Sequence, residues 1–362
     1  MLLLNKKIKK SLTFYAINNT LLIKTVLLEV SIMTSSRMAI FIHLANGRRI
    51  DEIFPQYFQY RYGFNQEKCI NEALEKKLLR YSNINENIKF STITDIKAVL
   101  KKYNLLQSGK KDVLIGRLLE NVEEKELKKY FPEGRYILDT EGEKLLEKKS
   151  YIPMYDKINS KIHEMDLKKV EDKIKEGKNI FQACIEILKI QLERERRSNS
   201  WDFLKISYRH IGLIYKEEGK LNEAFKYILI SFSLEFTGLS NGTYSEKCYL
   251  YPGLVRELRD LQIKLDYSNE DIKNSIDPLM ISLNLPMQRF KNEEIAKIII
   301  LALEDETEKV EEIIKTNDET LYIFDTGEKI DLNLKIDEDK TTPPKNDKKN
   351  SGILETIKNF FK

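Results

Sequence analysis

Seven residues between positions 97 and 117 have types and spacing that suit phosphate chemistry: Lys97, Lys101, Ser108, Gly109, Lys110, Lys111 and Arg117. From Ser91 to Leu119 the cations Lys97, Lys101, Lys102, Lys110, Lys111 and Arg117 are opposed only by Asp95 and Asp112. The local excess of +4 equals the net charge of all 362 residues, and Glu120, Glu123, Glu124 and Glu126 follow directly. A chain with so small a net charge spreads no basic field over its surface. The pattern predicts instead a short cationic face, bounded by acid, that meets a few backbone phosphates.

Two short helices must position that face. Thr92 followed three residues later by Asp95 is a capping-box start, so a helix is expected from about Ile93. Ile96, Val99, Leu100 and Tyr103 recur at helical spacing and leave Lys97, Lys101 and Lys102 largely outside the apolar face. Asn104 tolerates the left-handed backbone that closes a helix. Ser108 is the expected N-cap of the second helix, with Gly109, Lys110 and Lys111 at its start and Leu114, Ile115, Leu118 and Leu119 on its inner face. Cations sit badly at a helix N-terminus, and a bound anion would relieve that conflict.

At these residues the chain resembles the SAP motif family, bihelical modules best known for binding DNA. The resemblance is carried by Thr92, Asp95, Ile96, Lys97, Leu100, Leu105, Ser108, Gly109, Lys111, Leu114, Ile115, Arg117 and Leu118, with Asn104 where the family usually has Gly. It covers about a tenth of the chain. It implies nucleic-acid binding, mostly through phosphates of DNA, with RNA as a further candidate. For Arg117 a structural salt bridge to Asp112 is the competing role.

No catalytic constellation stands beside this face. His163-Glu164 lacks the second histidine of a zinc protease, and His43 and His210 stand alone. Six residues separate Gly212 from Gly219 and Leu221 follows Lys220, which is not the spacing of a phosphate-cradling loop. The reading is therefore non-enzymatic, with no metal and no cofactor expected. Cys69, Cys184 and Cys248 form no close pair and read as reduced thiols of a cytoplasmic protein. The excess of Lys over Arg points to an AT-rich bacterial or phage genome.

The rest of the chain reads as mainly α. Residues 1–45 are expected to be an N-terminal extension, its apolar run interrupted by Asn18, Asn19, Lys24 and Glu29, upstream of a start at Met33 or Met38. No integral membrane segment is expected. A first domain, 50–150, should hold the SAP-like pair. In it the aromatic stretch Phe54 to Phe64 would prop up a helix from Gln66 to Tyr81, and that helix would complete the core of the pair. A helix is expected over 123–130. A short strand, Arg135 to Leu138, and a helix, Thr140 to Lys149, hint at a winged-helix ending. Pro153 should mark the next boundary.

A second domain, 155–316, is expected to be helical. Its segment 204–236 resembles one tetratricopeptide repeat through Tyr208, Ile211, Gly212, Tyr215, Gly219, Ala224 and Ile228. Pro278 should kink or split a helix over 269–283. A small β hairpin around Gly327 is expected over 317–336. Residues 337–362 read as a flexible tail with a terminal amphipathic stretch, Ile353 to Phe361. Two functions follow: a nucleic-acid-binding adaptor whose helical domain holds a protein or a second copy of the chain, or a protein-interaction scaffold, of phage type, with no nucleic-acid contact.

Overall fold

A computed structural model describes residues 34–316 apart from 133, 164, 242 and 245–247, with the backbone alone at 243, 244, 320–322 and 329–331. The described residues form seventeen helices and three two-stranded sheets. The chain divides into two compact units between Lys157 and Ile158.

The first unit is built on α1 (Ser35–Ala45), which starts at Thr34, whose hydroxyl accepts the Arg37 N–H at 3.3 Å. Met38, Ala39, Ile40, Phe41, Ile42 and Ala45 are all buried. Residues 35–45 are thus core, not extension, because a helix apolar around its circumference is stable only when surrounded. The reading of residues 1–33 lies outside the described residues. The aromatic stretch packs as expected: Phe54 and Phe64 meet Phe41 at ring-centroid distances of 6.1 and 5.4 Å, and Phe58 on α2 (Tyr57–Tyr62) is buried with them.

α3 (Gln66–Glu75) stops well short of Tyr81. The backbone turns at Lys77, φ +53°, and β1 (Leu79–Tyr81) pairs antiparallel with β2 (Tyr136–Leu138), Leu79 opposite Leu138 and Tyr81 opposite Tyr136. Helical spacing could not foresee a strand whose partner is so distant in sequence. For the same reason β2 makes no local hairpin, and the winged-helix ending is not formed. β2 leads instead into α8 (Thr140–Lys148), which lies so close to β1 that a Cβ on Gly142 would stand 2.0 Å from the Leu78 carbonyl oxygen.

The paired strands clasp the two ends of a four-helix excursion: α4 (Ile84–Phe90), α5 (Ile93–Lys102), α6 (Lys111–Asn121) and α7 (Glu124–Tyr130). Its core is Ile84 and Ile88 of α4, Ile96, Val99 and Leu100 of α5, Leu114, Ile115 and Leu118 of α6, then Val122, Leu127 and Phe131. The helix that completes the pair is therefore α4, not the expected α3. Its start is fixed by reciprocal hydrogen bonds between Asn83 and Glu86, and Glu86 also accepts Arg80 at 2.6 and 2.8 Å. α9 (Ile152–Ile162) crosses the division between units. Pro153 lies in its first turn, where its missing N–H costs nothing, and the division falls four residues after it.

The second unit comprises α10 (Leu167–Lys175), α11 (Ile180–Arg197), α12 (Trp201–Glu218), α13 (Leu221–Leu234), a two-residue pairing of β3 (Leu239–Ser240) with β4 (Thr243–Tyr244), then α14 (Pro252–Leu265), α15 (Asn269–Leu283), α16 (Asn292–Leu303) and α17 (Thr307–Thr316). Gly219, φ +83°, turns the chain between α12 and α13. Every residue of α13 from Tyr227 to Leu234 is buried, and α12, α14, α15 and α16 all pack on it. A solenoid repeat touches only its sequence neighbours. Here the second helix of the repeat-like pair is instead the centre of a bundle. α15 runs through Pro278 without splitting. β5 (Thr320–Tyr322) and β6 (Lys329–Asp331) pair antiparallel, as the expected hairpin over 317–336 requires. Gly327 and 337–362 lie outside the described residues. No helix among the described residues is long and apolar enough to cross a membrane.

Candidate nucleic-acid interface

The elbow between α5 and α6 is built from local signals at its first end. The Thr92 hydroxyl accepts the Asp95 N–H at 3.2 Å while Asp95 accepts the Thr92 N–H at 3.3 Å. α5 closes with a Schellman pair of bonds, Leu105 N–H to the Leu100 carbonyl at 2.8 Å and Asn104 N–H to Lys101 at 3.1 Å. Asn104 takes the left-handed conformation, φ +52°. With Ile96, Val99 and Leu100 turned into the core, Lys97 and Lys101 stand one turn apart on the exposed side of α5.

The second end departs from expectation. α6 begins at Lys111, and its N-cap position is Lys110, with no side-chain cap. Ser108 is two residues too early and caps nothing; its carbonyl instead accepts Arg117 Nη1 at 3.1 Å. The same nitrogen donates to the Leu106 carbonyl. Arg117 therefore neither pairs with Asp112 nor points outward. It reaches back across the turn and holds two of its carbonyls. Gly109, φ +132°, supplies the one backbone conformation an L side chain could not easily take, and a Cβ there would press on Val113 at 3.3 Å.

Lys111 is also turned inward, its Nζ donating to the Lys89 carbonyl at 2.6 Å in the last turn of α4. That bond satisfies a helix-end carbonyl and brings Lys89, itself exposed, to the elbow. Lys89 is the cation missed in the sequence. The Asn83-Glu86 capping box was the available signal, since recognising α4 places Lys89 at its C-terminus. Lys102 lies 4.7 Å from the centre of the Tyr130 ring.

Of the cations read from the sequence as phosphate contacts, those left outward are Lys97, Lys101 and Lys110. All three are exposed, and none makes an ion pair among the described residues. The lysines of α7 contrast with them: Lys128 pairs with Glu124 at 2.7 Å and Lys129 with Glu126 at 2.5 Å. From Leu106 to Val113 no backbone N–H donates to a protein acceptor among the described residues. A run of free donors at a helix start beside unpaired ammonium groups is chemically matched to a phosphate oxygen.

Elsewhere the described residues gather no three His, Cys, Asp or Glu side chains able to hold a metal ion. Burial pushes the Cys69 thiol up to about 11 and that of Cys184 up to about 12, so both are inert at neutral pH. Burial, and then the neighbouring Arg209 and His163, hold His210 down at about 4. An open cleft of about 310 Å³ is lined by Gln66, Glu67, Ile70, Asn71, Tyr81 and Tyr136, without a nucleophile beside a base. No protein-family profile, curated protein or solved structure matches this chain.

Proposed function

We propose that the protein is a nucleic-acid-binding adaptor that grips backbone phosphates of DNA with the α5–α6 elbow. The reading rests on one observation above the others: Lys97 and Lys101 of α5 and Lys110 at the start of α6 stand exposed and unpaired, and the backbone N–H groups from Leu106 to Val113 between them make no bond to the protein among the described residues. Lys111 and Arg117 serve this site from behind. Three or four phosphate contacts give weak, steeply salt-dependent binding, with Kd about 10⁻⁴ to 10⁻⁶ M. Tethering through the second unit raises the effective affinity. In that unit Ile190 of α11 and Phe203 and Ile206 of α12 are exposed, by 62, 56 and 48 %, and are the apolar side chains assigned to a protein partner or a second copy.

The test is duplex DNA binding at 50 and 200 mM salt by the whole chain and by Lys101→Gln with Lys110→Gln. The wild type should weaken by at least tenfold across that interval, and the double variant should bind less tightly with a shallower salt dependence. Binding that ignores salt, or equal binding by the variant, would leave the scaffold reading in its place.

A further inference from the structure

We infer that Arg117, resting on the phosphate-gripping reading above, is a positioning residue of the elbow and not one of its phosphate ligands. The structure ties its guanidinium, through Nη1, to the carbonyls of Leu106 and Ser108 in the turn. In a trans peptide the N–H of the next residue points opposite to the carbonyl. Holding those two carbonyls towards Arg117 therefore aims the N–H groups of Gln107 and Gly109 away from it. Nothing else in the turn does this work: Ser108 caps no amide, α6 lacks a side-chain cap, and Gly109 has the freest backbone of any residue type. Without the clamp the turn would have to be ordered at the moment of binding, and the entropy lost then weakens the complex. Both bonds come from one nitrogen, Nη1, whose two hydrogens are fixed in the guanidinium plane, and a lysine ammonium on a shorter stem that rotates freely holds the pair less rigidly.

The roles separate by two measurements on the full chain: the slope of log K against log salt for a DNA duplex, and NMR order parameters of the free protein's backbone amides over 106–110. Arg117→Gln and Arg117→Lys should both bind about tenfold more weakly, keep the wild-type salt slope, and show lowered order parameters confined to the turn. Lys110→Gln should do the reverse, losing close to one unit of slope, as one lost phosphate contact requires, with order parameters unchanged. If Arg117→Gln loses slope as Lys110→Gln does, Arg117→Lys restores it, and the turn stays ordered in both, Arg117 touches phosphate directly and the inference is wrong. Absence of salt-dependent binding by the wild type would overturn the phosphate reading instead. The order parameters alone would then decide whether Arg117 fixes the elbow, and an unchanged turn in both Arg117 variants would reject it.

Discussion

Asn104 shows how one side chain sets the angle of the site. It occupies the left-handed position that ends α5, φ +52°, and lets the Leu105 N–H fold back to Leu100. Most L residues lose about 1 to 2 kcal/mol there, Asn loses less, and Gly loses nothing to sterics. Asn104→Gly should therefore leave stability unchanged or raise it by a few tenths of a kcal/mol, whereas Asn104→Val should lower it by about 1 to 2 kcal/mol. Urea denaturation of the two variants beside the wild type would measure this. A Val variant as stable as the wild type would mean that the turn is not held in this conformation.

Two glycines inside helices carry opposite expectations, and the difference belongs to the elements they join. Gly116 of α6 has nothing within 4 Å of the place a Cβ would take. Gly116→Ala should raise stability by about 0.5 to 1 kcal/mol, by removing backbone freedom from the unfolded chain. Gly212 of α12 faces α13, where a Cβ would stand 2.6 Å from Ile228 Cγ1 and 3.2 Å from the Ala224 carbonyl oxygen. Gly212→Ala forces those helices apart or Ile228 out of place, and should destabilise by about 1 to 3 kcal/mol. Thermal unfolding of the two variants should shift in opposite directions. A shared direction would show that the α12–α13 separation is not set by Gly212.

At the scale of the molecule, the second unit has a built-in acid weakness and its own optical reporter. His210 sits on α12, where burial and then Arg209 and His163 hold it at about 4, against about 6.5 in an unfolded chain. Between those values the unfolded chain binds a proton that the folded one refuses, so stability rises with pH. The contribution is fully present above pH 6.5 and is lost as pH falls towards 4, on the order of 3 kcal/mol in all. Trp201 is the sole tryptophan of the chain and is buried at the start of the same helix. Urea unfolding followed by its fluorescence should weaken between pH 7 and 5, and His210→Gln should flatten that dependence. An equal slope in the variant would assign the acid sensitivity to other groups.

What the sequence by itself determined is whatever depends on near neighbours in the chain. Thr92 and Asp95 start α5, Asn104 ends it, Gly212, Gly219 and Ala224 pair α12 with α13, and the cations at 97 and 101 are placed by helical spacing alone. Only the tertiary structure decided which charges remain available. Arg117 turned back to Leu106 and Ser108, Lys111 was drawn to α4, and Lys89 came up beside them, because free carbonyls at turns and helix ends attract the nearest donor. It also decided that Leu79–Tyr81 is a strand, that α4 completes the core of the pair, and that α13 is a central helix. Each of these is fixed by a partner far away in the chain, and periodicity within a short window holds no record of such a partner.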